Sequence, residues 1–404
     1  MRTTKITLLS LVLLAGLVAC TDKNKGVQEE STVSTDAKQT AQSATTTQTA
    51  PTMKIFKATD DNVKLLGRTY EYNDALWLAL SGSGVEFSFY GTKAEITLKG
   101  DQIASSSSNH ARIGIYVNGA RVIDDLLNES RKTYTVFNSD TEQNVTVRVV
   151  KLSEAAMSTV GIHEISVDAK EGITPTQTNV HKIEFIGDSI TAGYGVDDEN
   201  KDHHFSTATE DVTKTYAYKT ALALQADYSI VAYSGFGIIS GYTSNDHKAD
   251  SQLVPNYYDK VGMSYGKFDG TLAAQSVSWD FNRFIPELIV INLGSNDDSY
   301  TKDDADKQAE YARQYVEFLK QIRGNNANAT ILCTLGIMGD RLFPLVEQAV
   351  ADYTKETGDN KIGTMKFDVQ SAVDGYAADW HPTEATQSKA AEKLIAKIKV
   401  FMNW

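Results

Sequence analysis

The sequence predicts an all-β, jelly-roll-like sandwich over residues 53–171, followed by a three-layer α/β domain with a parallel sheet over 172–404. Two patterns carry that expectation. Between 53 and 171, short runs alternate apolar and polar residues with period two, separated by turn residues such as Ser81-Gly82-Ser83-Gly84 and Asn118-Gly119. Beyond Gly172, strand-like apolar runs alternate with stretches of helical spacing, the pattern of parallel strands joined by crossover helices. A chain of 404 residues that is 41% hydrophobic has the length for two domains and the apolar content to fold both.

Ahead of the sandwich, Arg2 and Lys5 flank the start of an apolar run over 6–18, and Leu17-Val18-Ala19-Cys20 sets small residues before a cysteine. The run falls short of the ~18 residues that a spanning helix needs. It resembles a bacterial lipoprotein leader, with a plain secretory leader as the alternative. That resemblance implies removal of the leader, lipidation at Cys20, and an exported protein anchored to the membrane at the cell envelope or surface. Residues 21–52 are rich in Thr, Ser, Gln, Ala, Lys and Glu, and are expected to form a disordered tether because they bury too little apolar surface to offset ordering entropy. Cys333, the other cysteine, sits in an apolar run and reads as a small core residue. A net charge of −13 with no basic cluster argues against a nucleic-acid partner and favours neutral substrates.

In the sandwich, strands are expected at 53–56, 85–90, 94–98, 112–117, 145–149 and 165–167. Trp77 and Tyr90 are read as core or inter-domain packing, since the fold alone does not license a sugar-binding surface. In the α/β domain, strands are expected at 183–186, 228–233, 288–293, 330–335 and 362–367, with helices at 215–225, 303–323, 343–357 and 383–402.

Ligands of open α/β sheets bind at the carboxyl ends of the strands. Gly187-Asp188-Ser189 follows the first strand, Tyr233-Ser234-Gly235-Phe236-Gly237 the second, and Gly294-Ser295-Asn296-Asp297 the third. Asp379-Trp380-His381-Pro382-Thr383 precedes the last helix. Singly, each has a bland reading as a cap or a turn. Together they supply what acyl transfer requires: a serine nucleophile, an imidazole to take its proton and return it to the leaving alkoxide, and fixed donors for the oxyanion. The donors would be the Ser189 and Gly235 N–H groups and the Asn296 amide, and losing one such donor costs about 2.7–4 kcal/mol of transition-state stabilisation. No cofactor and no metal are called for.

Ser189, Gly235, Asn296 and His381, in this order, resemble the blocks of the SGNH, or GDSL-type, hydrolase superfamily over 182–404, with its flavodoxin-like sheet. The preceding sandwich, the stretch 279–297 and Asp379-Trp380-His381-Pro382 are similar to carbohydrate esterase family 2. This resemblance implies a serine esterase that removes O-acetyl groups, through an acyl-enzyme, from plant polysaccharides such as acetylated xylan or mannan or from their oligosaccharides. It also implies a sugar-stacking role for Trp380, against the alternative that the indole packs beneath the histidine loop. A monomer is expected. Two other functions stay open: a lipase or lysophospholipase, and a non-catalytic surface lipoprotein that binds glycan.

Many superfamily members place the histidine-orienting aspartate three residues before the histidine, where this chain has Ala378. Two arrangements follow: a Ser189–His381–Asp379 triad, or a Ser189–His381 dyad whose imidazole rests on a backbone carbonyl near Asp379. Asp188 and Asp297 read as loop-shaping residues, and Tyr194 and Phe236 as weaker sugar-stacking candidates. His203, His204, Asp202 and Glu210 lack a closed metal-ligand spacing, so the 197–211 insertion reads as a solvated loop.

Overall fold

Gly91 decides how the sandwich is built. Strand Gly84–Gly100 runs antiparallel to Arg131–Lys151, and the register shifts between Gly91 and Lys93. Asp168 accepts the Thr92 and Lys93 N–H groups at the shift, at 2.9 Å each, and a Cβ on residue 91 would lie 2.4 Å from its Oδ1. Such a bulge bends and twists a strand. The half before it therefore pairs with Lys64–Leu66 and Ile173–Pro175, and the half after it with Val160–Val167. In this computed structural model, residues 52–105 and 108–404 are described; the leader, Cys20 and the tether up to residue 51 lie outside the described residues.

The sandwich has more strand than expected. The runs at 85–90 and 94–98 are one strand, and the run at 145–149 is only the end of Arg131–Lys151, whose first half buries Tyr134 and Val136 and whose middle, 138–144, is mostly exposed and polar. Thr69–Tyr72, Ala75–Leu78 and Ala120–Leu127 are further strands without a counterpart in the sequence reading. The Ile173–Pro175 segment, expected to belong to the α/β domain, pairs with Phe87–Phe89 inside the sandwich.

In the α/β part five parallel strands form one sheet: β1 (His181–Gly187), β2 (Ala226–Ala232), β3 (Leu288–Asn292), β4 (Thr330–Ile337) and β5 (Ile362–Val369). Their order is β2-β1-β3-β4-β5. The connecting helices are α1 (Ser189–Ala192), α2 (Tyr216–Ala223), α3 (Ser295–Thr301), α4 (Ala305–Asn325), α5 (Phe343–Thr357) and α6 (Glu384–Met402). Alternation along β1 sends Ile183 and Phe185 into a core shared with α2 and α6, and Ile186 into a core shared with α4 and α5. Cys333 lies buried in the second of these cores. This is the expected three-layer arrangement. The helix expected at 303–323 begins at Ala305, with Asp304 accepting the Asp306 and Lys307 N–H groups as its cap. Among the described residues, no helix is long and apolar enough to cross a membrane.

With this strand order the winding reverses between β1 and β3, and the loops leaving them splay apart to open a crevice. Gly187 pairs with Asn292 across that junction, so Ser189 and Asn296 both emerge at its mouth.

Several contacts seat the sandwich on the α/β part, among them an aromatic stack and a buried ion pair. Trp77, fully buried, stacks on Phe268 with ring centroids 5.7 Å apart; Tyr90, by contrast, is 54% exposed, and the expectation that it packs is overturned. Its side chain leaves the outer face of the strand just before the bulge, where no layer covers it. The Arg68 guanidinium reaches Glu184 in the middle of β1 at 3.2 Å and donates to the Tyr258 and Lys260 carbonyls. Ser229 and Tyr258 hydroxyls satisfy the same carboxylate at 3.0 and 2.8 Å. Removing one partner of a buried pair strands the other charge, so Arg68→Ala is expected to cost about 3–5 kcal/mol in urea unfolding. A loss under about 1 kcal/mol would show that the sandwich is seated by other contacts.

Candidate active site

Ser189 opens α1, where the first N–H groups of a helix have no intrahelical acceptor. The Asp188 carboxylate caps that turn by accepting the Ile190 N–H at 3.0 Å, and Gly193 closes it with an N–H to the Ser189 carbonyl. His381 enters from the loop between β5 and α6. Its Nε2 lies 2.9 Å from Ser189 Oγ, and its Nδ1 lies 3.1 Å from the Ala378 carbonyl. A carbonyl only accepts, so Nδ1 carries the proton and the Nε2 lone pair faces the hydroxyl. Burial drives the imidazole down to about 4, against the opposing pull of the Ala378 bond and the Asp379 charge.

The loop after β2 is pinned almost completely. Tyr233 donates to Gly187, Ser234 to Glu154, Phe236 to Tyr233 and Gly237 to Gln252, while Ile238, Ile239 and Ser240 all donate to Asp297. Among the described residues, only the Gly235 N–H in this stretch is left without a protein acceptor, and Gly235 lines the cavity. Gly235 has φ +81° with open space where a Cβ would stand, so glycine is needed here for its backbone angle. The Asn296 amide donates to the Phe236 carbonyl at 2.8 Å and, over a long 3.4 Å, to Asp188, a weak bond that an oxyanion would displace. Burial pushes Asp188 up to about 7 and Asp297 up to about 6, and both carboxyls engage backbone N–H groups of the loops they shape.

These groups line a cavity of about 520 Å³ with Tyr194, Tyr242, Leu335, Met338, Arg341 and Trp380. Trp380 is 50% and Tyr242 63% exposed. Arg341 is held by Asp298 at 2.7 and 3.0 Å and by Asp303 at 3.1 Å, so its charge is already neutralised. A hydroxyl polarised by a neutral imidazole, with oxyanion donors alongside, is the equipment of acyl transfer.

Residues 185–388 match the model of the GDSL-like Lipase/Acylhydrolase family, and residues 65–176 match that of the carbohydrate esterase 2 N-terminal region. The chain belongs to the GDSL-like lipase/acylhydrolase family. It is most like carbohydrate esterase family 2. Over 331 residues it is 30% identical to the cellulase/esterase CelE of Acetivibrio thermocellus, a match covering 81% of this chain but only 38% of CelE. An acetylxylan esterase / glucomannan deacetylase of Cellvibrio japonicus is 24% identical over 356 residues, 86% of this chain and 91% of that protein. A solved family two carbohydrate esterase from Clostridium thermocellum, in complex with cellohexaose, has TM-score 0.72 at 28% identity, covering 85% of this chain and 99% of that one.

The structure of this family member brings Ser189, Gly235, Asn296 and His381 to one cavity and places Trp380 at its rim. It does not place Asp379 on the histidine. That carboxylate instead accepts from the Tyr194 hydroxyl at 2.5 Å and pairs with His204 at 2.8 Å. The reason is the backbone: Asp379 and Trp380 are consecutive left-handed residues, φ +49° and +62°, which turns the carboxylate outward and leaves Ala378 to face Nδ1. Partial burial would raise the Asp379 carboxyl, but the Tyr194 and His204 bonds outweigh it and hold it low.

Other candidates fall elsewhere. Tyr194 lies flat on the His381 ring at 3.8 Å, so that face is closed to a sugar, and Phe236 is buried in the core. His203 bonds Asp198 while Glu210 is buried beneath the sandwich; among the described residues no group of His, Cys, Asp and Glu is placed to hold a metal. The 197–211 segment is not simply solvated: its Asp198 and His203 carbonyls accept the Ala378 and Asp379 N–H groups, buttressing the histidine loop. Two contributors carried no sequence signal strong enough to single them out. Tyr242 is an aromatic in a small, polar loop past Gly235, and Gln387 of α6 bonds both Ile190 and Tyr216, locking the histidine helix to α1.

Asp379→Asn tests the geometry. With no bond to Nδ1 at stake, kcat should fall by no more than about tenfold, where loss of a true orienting acid costs about ten-thousand-fold. A loss of the larger size in folded protein would restore the triad.

Proposed function

We propose that the chain is a serine esterase that removes O-acetyl groups from neutral carbohydrates, with acetylated plant polysaccharides such as xylan or mannan and their oligosaccharides as the substrate class. The observation that carries the reading is the 2.9 Å bond from Ser189 Oγ to a neutral, tautomer-fixed His381 beside the free Gly235 N–H. His381 Nε2 takes the hydroxyl proton as Ser189 Oγ attacks the ester carbonyl. The oxyanion then meets the Ser189 and Gly235 N–H groups and the Asn296 N–H that bonds Asp188 only weakly. The resulting imidazolium gives its proton to the departing sugar oxygen, leaving an acetyl-serine. A water deprotonated by the same nitrogen then releases acetate.

Substrate class is supported by the rim and by kinship. Two exposed aromatic faces and a cation already neutralised by two aspartates favour an uncharged, flat-faced ligand over an anionic headgroup. Relatives named as acetylxylan esterase and glucomannan deacetylase, and a family structure holding cellohexaose, point the same way.

Ser189→Ala should abolish acetate release from acetylated xylan and glucomannan, leaving less than about a thousandth of wild-type kcat. Acetyl aryl esters should outrun their octanoyl counterparts; the reverse order would favour the lipase reading, and equal turnover by Ser189→Ala would remove Ser189 from the chemistry. The acid limb gives a second test. His381 must be neutral to act, and burial favours its neutral form, so lowering the pH should extinguish kcat/KM near about 4. A half-maximum near 6.5, in protein still folded by circular dichroism, would show an unperturbed imidazole.

A further inference from the structure

The stretch that follows strand Arg131–Lys151 belongs to the sandwich by chain order but ends beneath the catalytic sheet. Glu154, fully buried, accepts the Ser234 N–H with Oε2 at 3.0 Å, one residue before Gly235. Its own N–H donates to Glu210 Oε2 at 2.8 Å. Glu210 continues into Asp211, whose N–H bonds the Gly193 carbonyl at the end of α1. Lys151, also fully buried, donates to the Ser153 and Glu154 carbonyls at 2.7 and 2.5 Å. One buried residue of the sandwich thus touches the oxyanion loop with its carboxylate and, with its backbone N–H through Glu210, the far end of the nucleophile turn. Neither Glu154 Oε1 nor Glu210 Oε1 has a partner in the protein. Burying two acids and one amine is costly, and a surface seat for the sandwich would not require them.

We propose that Glu154 is a positioning residue of the esterase: it holds the Ser234 peptide so that the next N–H, that of Gly235, points at the oxyanion. The inference rests on the reading of Ser189, Gly235 and His381 given above. Its logic is geometric. Apart from the free N–H of Gly235, every other N–H from Tyr233 to Ser240 is tied to the α/β part itself, whereas Ser234 is tied only to the sandwich. The sandwich therefore completes the catalytic machinery without contributing a reacting group. Burial raises both carboxyls, Glu210 the more strongly because it also faces Glu154, and burial draws the Lys151 ammonium down to about 8.

The test is a set of three variants in the full chain: Glu154→Gln, which keeps an acceptor at full reach, Glu154→Asp, which keeps the charge but withdraws it by one methylene, and Glu154→Ala. An oxyanion donor acts in the transition state, so Asp and Ala should lower kcat about 10- to 100-fold with KM changed less than about twofold, and Gln should stay within about threefold of wild type. A boronic acid forming a tetrahedral adduct with Ser189 should bind the Asp variant at least about tenfold more weakly. Wild-type kcat in folded Asp variant overturns the proposal, as does an equal loss in Gln and Asp or a loss expressed in KM. If Ala does not fold, Gln and Asp decide alone. Ser189→Ala in the same assay separates the two readings: an active Ser189→Ala rejects the nucleophile, while an inactive one beside a normal Asp variant rejects only the role of Glu154.

Discussion

A single backbone carbonyl, that of Ala378, holds the site together. By accepting from His381 Nδ1 it fixes the tautomer and ring plane that aim Nε2 at Ser189. That carbonyl is aimed by a short and strained segment. Two consecutive residues in the left-handed region, Asp379 and Trp380, cost about 1–2 kcal/mol each. The cost is offset by bonds on both sides: the Ala378 and Asp379 N–H groups dock on the Asp198 and His203 carbonyls, and Ala377 and His381 close a tight turn. Strain of this kind persists only where surroundings over-determine it. One conformation has three consequences. It brings a carbonyl to Nδ1, carries the Asp379 carboxylate out to Tyr194 and His204, and leaves the Trp380 indole exposed at the rim. Losing an acid from the histidine and gaining an aromatic face at the cavity are one event.

The opposite wall is built by a different device. Where β1 and β3 lie side by side, the winding of the sheet reverses and the loops diverge. Ser189 and Asn296 descend from these two strands, and Gly235 from β2 next door. Asp297 gathers three successive N–H groups beyond Gly235, and the loop has almost no freedom left. Preorganisation of this sort matters because oxyanion donors stabilise charge only if they need not reorient when it appears. Histidine wall and oxyanion wall are then locked to each other by Gln387, which bonds Ile190 and Tyr216 from α6.

How much of this the sequence revealed follows from which physical signals are local. The five parallel strands are continuous apolar runs because both faces are covered, and such runs are legible. In the sandwich, Tyr134 and Val136 alternate inward in the first half of Arg131–Lys151, but an exposed polar stretch over 138–144 separates them from the buried end and hides that the two halves are one strand. Gly235, Asn296 and His381 were legible as landmarks at strand ends. Asp379 was not, because proximity in sequence suggests a partner while only the backbone angles decide where the carboxylate points. The 197–211 segment misled for a related reason: its side chains are polar, but its contribution is made by main-chain carbonyls, which composition does not report. Glu154 had no local signal at all, since its partner Ser234 is eighty residues away.

That last contact bears on why the two parts travel as one chain. A sandwich that merely carried the esterase would meet it through a surface that is apolar or solvated. Here the contact region holds the Arg68–Glu184 pair in the centre of β1 and the Lys151, Glu154 and Glu210 cluster under the oxyanion loop. Buried charges are poor glue, because desolvation consumes most of the Coulombic gain. What they provide is register, since a carboxylate with an N–H to meet tolerates little sliding, whereas Trp77 on Phe268 would allow several packings. The apolar contacts therefore account for the adhesion of the sandwich and the ionic ones for its alignment, and the alignment reaches the peptide next to Gly235.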